Sequence, residues 1–163
     1  VYNRTSSKAD KWIKEYKGSK ADTPAKAAEG ADYIFTCVGN DNDLREVTFG
    51  DNGIFKTIKK GAIYIDNTTA SATIAREIYA HSLKSEFGFL DAPVSGGQAG
   101  AENGALTVMI GGDQPNFEKA KDIIDCYSKK MKLLGGAGNG QLAKMVNQIC
   151  IAGLVQGLSL IHI

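Results

Sequence analysis

The chain of 163 residues is one domain's length, and its 43% apolar and 23% charged residues are the proportions of a soluble globular protein. Lys plus Arg (19) against Asp plus Glu (18) leaves a net charge of +1, too weak a field to draw nucleic acid or an anionic membrane. No apolar run approaches about 18 residues and residues 1–20 show no basic-then-apolar pattern, so a membrane-spanning protein is not expected and a cytoplasmic α/β enzyme is favoured over a secreted one.

Residues 1–3 read as the end of a strand. Ala9, Trp12, Ile13 and Tyr16 recur at helical spacing. Thr23 and Pro24 are an N-cap and a proline at the first helical position, opening a short helix to about residue 29. Residues 33–38 form an apolar strand, and Asp41 and Asp43 then start a helix whose dipole suits them. A strand over 62–66, a helix over 71–83 and strands over 87–92 and 106–110 follow. Pro115 opens a helix with Phe117, Ala120, Ile124 and Tyr127 on one face, and residues 131–134 make a last strand. Alternating strands and helices imply βαβ units, a mostly parallel sheet with helices on both faces, and ligands at the carboxyl ends of its strands. After Gly140 one long helix carries Leu142, Met145, Val146, Ile149 and Leu154, the pattern of a helix that leaves one domain for another.

The chemistry is narrowed by scarcity. Cys37, Cys126 and Cys150 form no close pair and read as buried free thiols in a reducing compartment. Two histidines, His81 and His162, support neither a nucleophile triad nor a metal site, so an acid–base step falls to another residue type, lysine first. The glycines of residues 135–140 lack both the lysine of a phosphate loop and the third glycine of a dinucleotide turn, and read as a flexible turn into the long helix.

Three clusters remain. Asn3, Arg4 and Thr5 follow a strand where a dinucleotide fold reads the adenosine ribose; arginine there suits a 2′-phosphate, or is a solvated surface side chain. Asp66, Asn67, Thr68 and Thr69 put two hydroxyls at the ligand edge, or merely cap a helix. Ser95, Gly96 and Gly97 offer a hydroxyl and backbone N–H groups to a carboxylate. Lys144, Asn147 and Gln148 lie at i, i+3 and i+4, so one helix face carries an ammonium and two amides, or is simply solvated.

The run Asp91-Ala92-Pro93-Val94-Ser95-Gly96-Gly97, with Gly100-Ala101, Gly104, Leu106-Thr107 and Gly111-Gly112, resembles the signature of the β-hydroxyacid dehydrogenase family. That family includes 3-hydroxyisobutyrate dehydrogenase and tartronate semialdehyde reductase. Gly138-Asn139-Gly140-Gln141 with Lys144 and Asn147 is similar to its catalytic helix. The resemblance implies a Rossmann-like doubly wound sheet and an oxidoreductase moving hydride between NADP(H), with NAD possible, and a small β-hydroxy acid or its semialdehyde. Lys144 would be the acid–base. Ser95, Gly96, Gly97 and Asn147 would hold the substrate carboxylate, with Gln148 shaping the pocket where many members have a second asparagine. Val38, Gly39, Asn40 and Thr69 would line the nicotinamide side, and Asn3, Arg4 and Thr5 the adenosine side.

Decarboxylating phosphogluconate dehydrogenases share the Ser-Gly-Gly and the lysine but act on a phosphorylated sugar acid, and a non-catalytic binding scaffold is the rival from another class. Imine reductases of the same superfamily tend to replace the lysine. Against the family pattern, residues 1–136 are expected to be a dinucleotide-binding domain lacking its first strand and glycine-rich turn. Residues 137–157 would begin an all-helical domain, and residues 158–163 would be a non-native tail in which His162 carries no function. A small-molecule substrate and, at full length, self-association are the expected partners; nucleic acid, membrane and metal are not.

Overall fold

The computed structural model describes residues 1–162, with the side chains of residues 1–161. The expected tail ends on Ile163, which lies outside the described residues, as does the side chain of His162. The chain runs α1 (Ser6–Glu15), α2 (Pro24–Ala28), β1 (Tyr33–Thr36), α3 (Asp41–Phe49), β2 (Ile63–Asp66), α4 (Ala72–Ser85), β3 (Gly88–Asp91), β4 (Val94–Ser95), α5 (Gly97–Glu102), β5 (Leu106–Gly112), α6 (Gln114–Asp125), β6 (Ser128–Leu133) and α7 (Asn139–Ser159). Among the described residues no helix is long and apolar enough to cross a membrane.

Local chemistry explains the helix starts. Thr23 accepts from Lys26 N (3.1 Å) ahead of Pro24, and Ser71 accepts from Ile74 N (3.1 Å). Asn40 accepts from the amides of Asn42 and Asp43 (both 2.9 Å), satisfying two donors that no helical carbonyl reaches.

β1, β2 and β3 pair in parallel through the crossovers α3 and α4. β5 then runs antiparallel to β3 and to β4, and β6 returns parallel beside β5. β3 and β4 are two segments of one bent strand: Pro93 interrupts them, yet its carbonyl still accepts from Met109 N (3.0 Å). β2 is buried on both faces, and its alternation divides the core. Tyr64 packs with Ile34, Leu44, Ile74, Ile78 and Phe89 under α3 and α4, while Ile63 and Ile65 pack with Leu90, Val108, Ile110, Ala120 and Ile124 under α6.

Three expectations need correction. Residues 1–3 form no strand; Val1 only exchanges backbone bonds with Ser19 and Ala21, and the outer edge of β1 pairs with no strand among the described residues. The three cysteines are free but exposed, because each sits at an edge: Cys37 past β1, Cys126 at the end of α6, Cys150 on the outer side of α7. The stretch 135–140 is not a free turn throughout: Gly135 and Gly136 are exposed, but Gly138 is buried against Ala72 and Arg76 of α4, and Gly140 against Asp91 of β3 and Met109 of β5.

Candidate functional site

The carboxyl ends of β2 and β3 and the first turn of α7 converge on two buried side chains. Asp91, at the end of β3, is fully buried and caps α7 across the sheet edge: Oδ1 accepts from Gly138 N (2.7 Å) and Oδ2 from Gln141 N (2.9 Å). Helix N-termini present unsatisfied donors and a positive dipole end, so a carboxylate there is well placed. Burial nevertheless dominates and holds the Asp91 carboxyl above its ordinary pKa, against the pull of those backbone donors.

The contact requires two residues without side chains. A Cβ on Gly140 would lie 2.5 Å from Met109 O and 2.6 Å from Asp91 O; one on Gly111 would lie 2.5 Å from Asp91 Oδ1 and 2.8 Å from Gly140 N. Backbone therefore meets backbone where α7 crosses β5.

Gln141 is the second buried polar group. Its Nε2 donates to Thr68 O (2.7 Å) and its Oε1 accepts from Ala70 N (3.0 Å), so one amide side chain ties α7 to the turn after β2. Thr68, also buried, accepts at Oγ1 from Val38 N (3.1 Å), and Thr69 between the two anchors is exposed. Below this turn Asp66 is buried, with Oδ1 accepting from Thr36 Oγ1 (2.7 Å) and Thr68 N (3.1 Å). Tyr64 OH donates to the same Thr36 oxygen at 2.7 Å. Asp66 Oδ2 has no partner among the described residues, and burial raises the carboxyl to about 6.

Lys144 stands one turn beyond Gln141 on α7. It is 7% exposed, and among the described residues no carboxylate pairs with it. Loss of hydration lowers its pKa below the ordinary lysine value. Asn147, one turn further, is half-buried, while Gln148 is exposed and accepts a long contact from Asn147 Nδ2 (3.4 Å). Ser95 closes β4 opposite Thr107, and Gly96 and Gly97 turn the chain into α5 at φ of +139° and +62°, which side chains rarely adopt. Both glycines are exposed, and the Gly96 N–H makes no hydrogen bond among the described residues.

The residues expected on the adenosine side lie elsewhere, on a cleft of about 520 Å³ between residues 1–5 and residues 33–39. Asn3 Oδ1 accepts from Thr5 N (2.9 Å), and the Arg4 side chain, 82% exposed, bridges the cleft mouth to Asp43 Oδ1 (3.0 Å). Val38 and Gly39 line the same cleft. Asn40 faces solvent with its side-chain oxygen committed to capping α3. The residues at hand suit part of a dinucleotide: an exposed guanidinium, paired with Asp43, stands at the cleft mouth, and no carboxylate occupies positions 3–5.

Asp66, Asp91 and Gln141 stand in stretches that the sequence reading quoted, but it gave none of the three a role in the site. A carboxylate or amide inside or beside the quoted motifs was the available signal, but, apart from the local bond of Asp66 to Thr68 N, their partners lie 30 to 73 residues away.

A family model described as the NAD binding domain of 6-phosphogluconate dehydrogenase matches residues 1–146. An "uncharacterized oxidoreductase" of Shewanella frigidimarina is 62% identical over 159 residues, covering 98% of this chain and 55% of that protein. The mitochondrial 3-hydroxyisobutyrate dehydrogenase of Mus musculus is 37% identical over 142 residues, covering 87% and 42%. Mycobacterium tuberculosis 3-hydroxyisobutyrate dehydrogenase, solved with L-serine, superposes with a TM-score of 0.87 at 27% identity, covering 93% and 50%. The chain spans about half the length of these relatives.

Proposed function

The chain belongs to the NAD-binding domain family of 6-phosphogluconate dehydrogenase, with 3-hydroxyisobutyrate dehydrogenases among its relatives, and from this we propose that the full-length protein oxidises a small β-hydroxy acid, or reduces its semialdehyde, with Lys144 as the general acid–base. The observation that carries the reading is Lys144 itself: a buried lysine with no countercharge among the described residues, on a helix docked at the carboxyl ends of the strands.

The nicotinamide, when bound, takes up or delivers the hydride. In the oxidation direction the lowered pKa keeps more of the Lys144 amine neutral, and Nζ takes the proton of the substrate hydroxyl. In reduction the ammonium returns that proton and its charge steadies the oxygen as negative charge develops. Ser95, the amides of Gly96 and Gly97, and Asn147 orient the substrate carboxylate, with Gln148 at the pocket rim. Thr69 and the loop Val38-Gly39-Asn40 would line the nicotinamide side, although Val38 and Gly39 also border the cleft that holds Asn3, Arg4 and Thr5. Asn3, Arg4 and Thr5 face the adenosine side, where the exposed fork of Arg4 favours NADP(H) over NAD(H). The exposed apolar face of α7, with Met145, Val146 and Ile149, would be covered by a helical second domain and, on self-association, by a second copy. Free thiols suit the cytoplasm.

Lys144→Met in the full-length protein tests the reading. General acid–base catalysis is worth about 10²–10⁴ in rate, so kcat should fall at least about a hundredfold while NADPH affinity is kept. Retention of more than about a tenth of kcat, with hydride transfer rate-limiting, would overturn it.

A further inference from the structure

We propose that Gln141 is a positioning residue: its side chain clamps the turn Thr68-Thr69-Ala70 to α7 and thereby holds Thr69 at a set distance from Lys144. The inference rests on the role given above to Lys144 and deepens it.

Three observations support the clamp. The first is that Gln141 is fully buried yet spends both ends of its amide on backbone, donating to Thr68 O at 2.7 Å and accepting from Ala70 N at 3.0 Å. These two groups flank Thr69, so the amide fixes the backbone on either side of it and leaves the Thr69 side chain exposed. The second is that the Gln141 backbone N–H is itself held by Asp91 Oδ2 at 2.9 Å, so the clamp is referenced to the end of β3. The third is that Lys144 follows at i+3 on the same continuous helix, so any slip of the Gln141 turn moves its Cα too. A residue needed only to fill space could be an apolar isostere. An amide suits the place because the two backbone groups it meets are one acceptor and one donor, which a carboxamide, or a protonated carboxylic acid of the same length, satisfies together.

That chemistry supplies the test. Gln141→Leu preserves volume and orphans both backbone groups. Gln141→Glu reproduces the clamp only while its carboxyl is protonated, because the ionised form sets negative oxygen against Thr68 O. The charged groups around position 141 are the carboxylates of Asp91, bonded to the backbone N–H there, and Asp66, bonded to Thr68 N, and the Arg76 guanidinium of α4 beside Gly138. The two carboxylates hold the introduced carboxyl protonated to higher pH, while the Lys144 ammonium and the Arg76 guanidinium act the other way.

Two readouts are taken on the full-length protein. The first is amide hydrogen exchange at Ala70, referenced to Ile65 in the core. The second is kcat with NADPH between about pH 5 and 8. In Gln141→Leu, Ala70 should exchange at least about tenfold faster with Ile65 unchanged, since one lost buried hydrogen bond is worth about that factor. Its kcat should fall by a similar factor at every pH, with the Kd for NADPH kept. In Gln141→Glu both readouts should match the parent at the acid end and the leucine variant at the alkaline end. If Gln141→Leu keeps Ala70 protection and kcat, or if Gln141→Glu shows no such pH dependence, the clamp is overturned. If Lys144→Met stays active while Ala70 responds as stated, the clamp stands and the assignment of Lys144 fails; the two failures are therefore separable.

Discussion

Replacing Gly140 and Gly153 by alanine, one at a time, probes the docking of α7 with a built-in control. Both glycines lie in that helix and neither has a left-handed φ, so alanine suits the backbone at either position. At Gly153 a Cβ meets nothing within 4 Å, and Gly153→Ala should stabilise the chain by about 0.5–1 kcal/mol through helix propensity alone. At Gly140 the same methyl would stand 2.5 Å from Met109 O, 2.6 Å from Asp91 O and 2.8 Å from Asp91 Oδ2.

An ordinary carbon–oxygen contact needs about 3.3 Å, so the helix must retreat by about 0.8 Å. From starting lengths of 2.7 and 2.9 Å, that retreat takes both Asp91 bonds beyond hydrogen-bonding range. Overpacking costs about 1–3 kcal/mol and weakening a charge-assisted bond about 1.5–3 kcal/mol, against the small propensity gain. Gly140→Ala should therefore lose roughly 2–5 kcal/mol, read from the midpoint of urea unfolding by far-ultraviolet circular dichroism at unchanged slope. A Gly140→Ala protein within about 0.5 kcal/mol of the parent, or two variants shifted in the same direction, would refute the backbone-to-backbone docking.

Two further outcomes follow. Because burial raises Asp66 from 3.8 to about 6, the folded protein binds a proton there more tightly than the unfolded chain does. The group therefore costs about 3 kcal/mol once ionised, and its share of stability falls as pH rises from about 4 to about 6. Asp66→Asn keeps an acceptor for Thr36 and Thr68 and abolishes the titration, so its stability relative to the parent should improve across that interval; Asp91 is common to both proteins and cancels. A gap independent of pH would refute the assignment. Arg4→Asp should lower the preference for NADPH over NADH in kcat/KM by about ten- to a hundredfold, since its exposed pairing with Asp43 contributes little and a charge-assisted phosphate contact much. An unchanged ratio would remove Arg4 from cofactor choice.

Much of the sheet was legible because its signals are local. The apolar run 62–66 marked a strand, which the structure buries on both faces, and Thr23 and Pro24 marked a helix start through side chains acting within three residues. The direction of β5 was not legible. Residues 96–105 are long enough to be read as a crossover, and only the pairings with β3 and β4 show that the chain doubles back. Burial at the cysteines failed for a related reason: apolar neighbours along the chain say nothing about which edge of the fold a residue occupies. The motif carrying Lys144 was visible, whereas the devices that seat it, Asp91 and Gln141, act across 47 to 73 residues and leave no periodic trace.

That separation sets an order of assembly during synthesis. Asp91 is made 47 residues before Gly138 and 50 before Gln141, the two amides that cap onto it. At about 5–20 residues per second, roughly 2.5–10 s pass between the making of the carboxylate and of its second partner. Through that interval the three parallel strands can already pair, but the buried aspartate still lacks its donors and the Thr68 turn its clamp. A chain cut short of residue 141 therefore carries a sheet edge that these two donors have never closed.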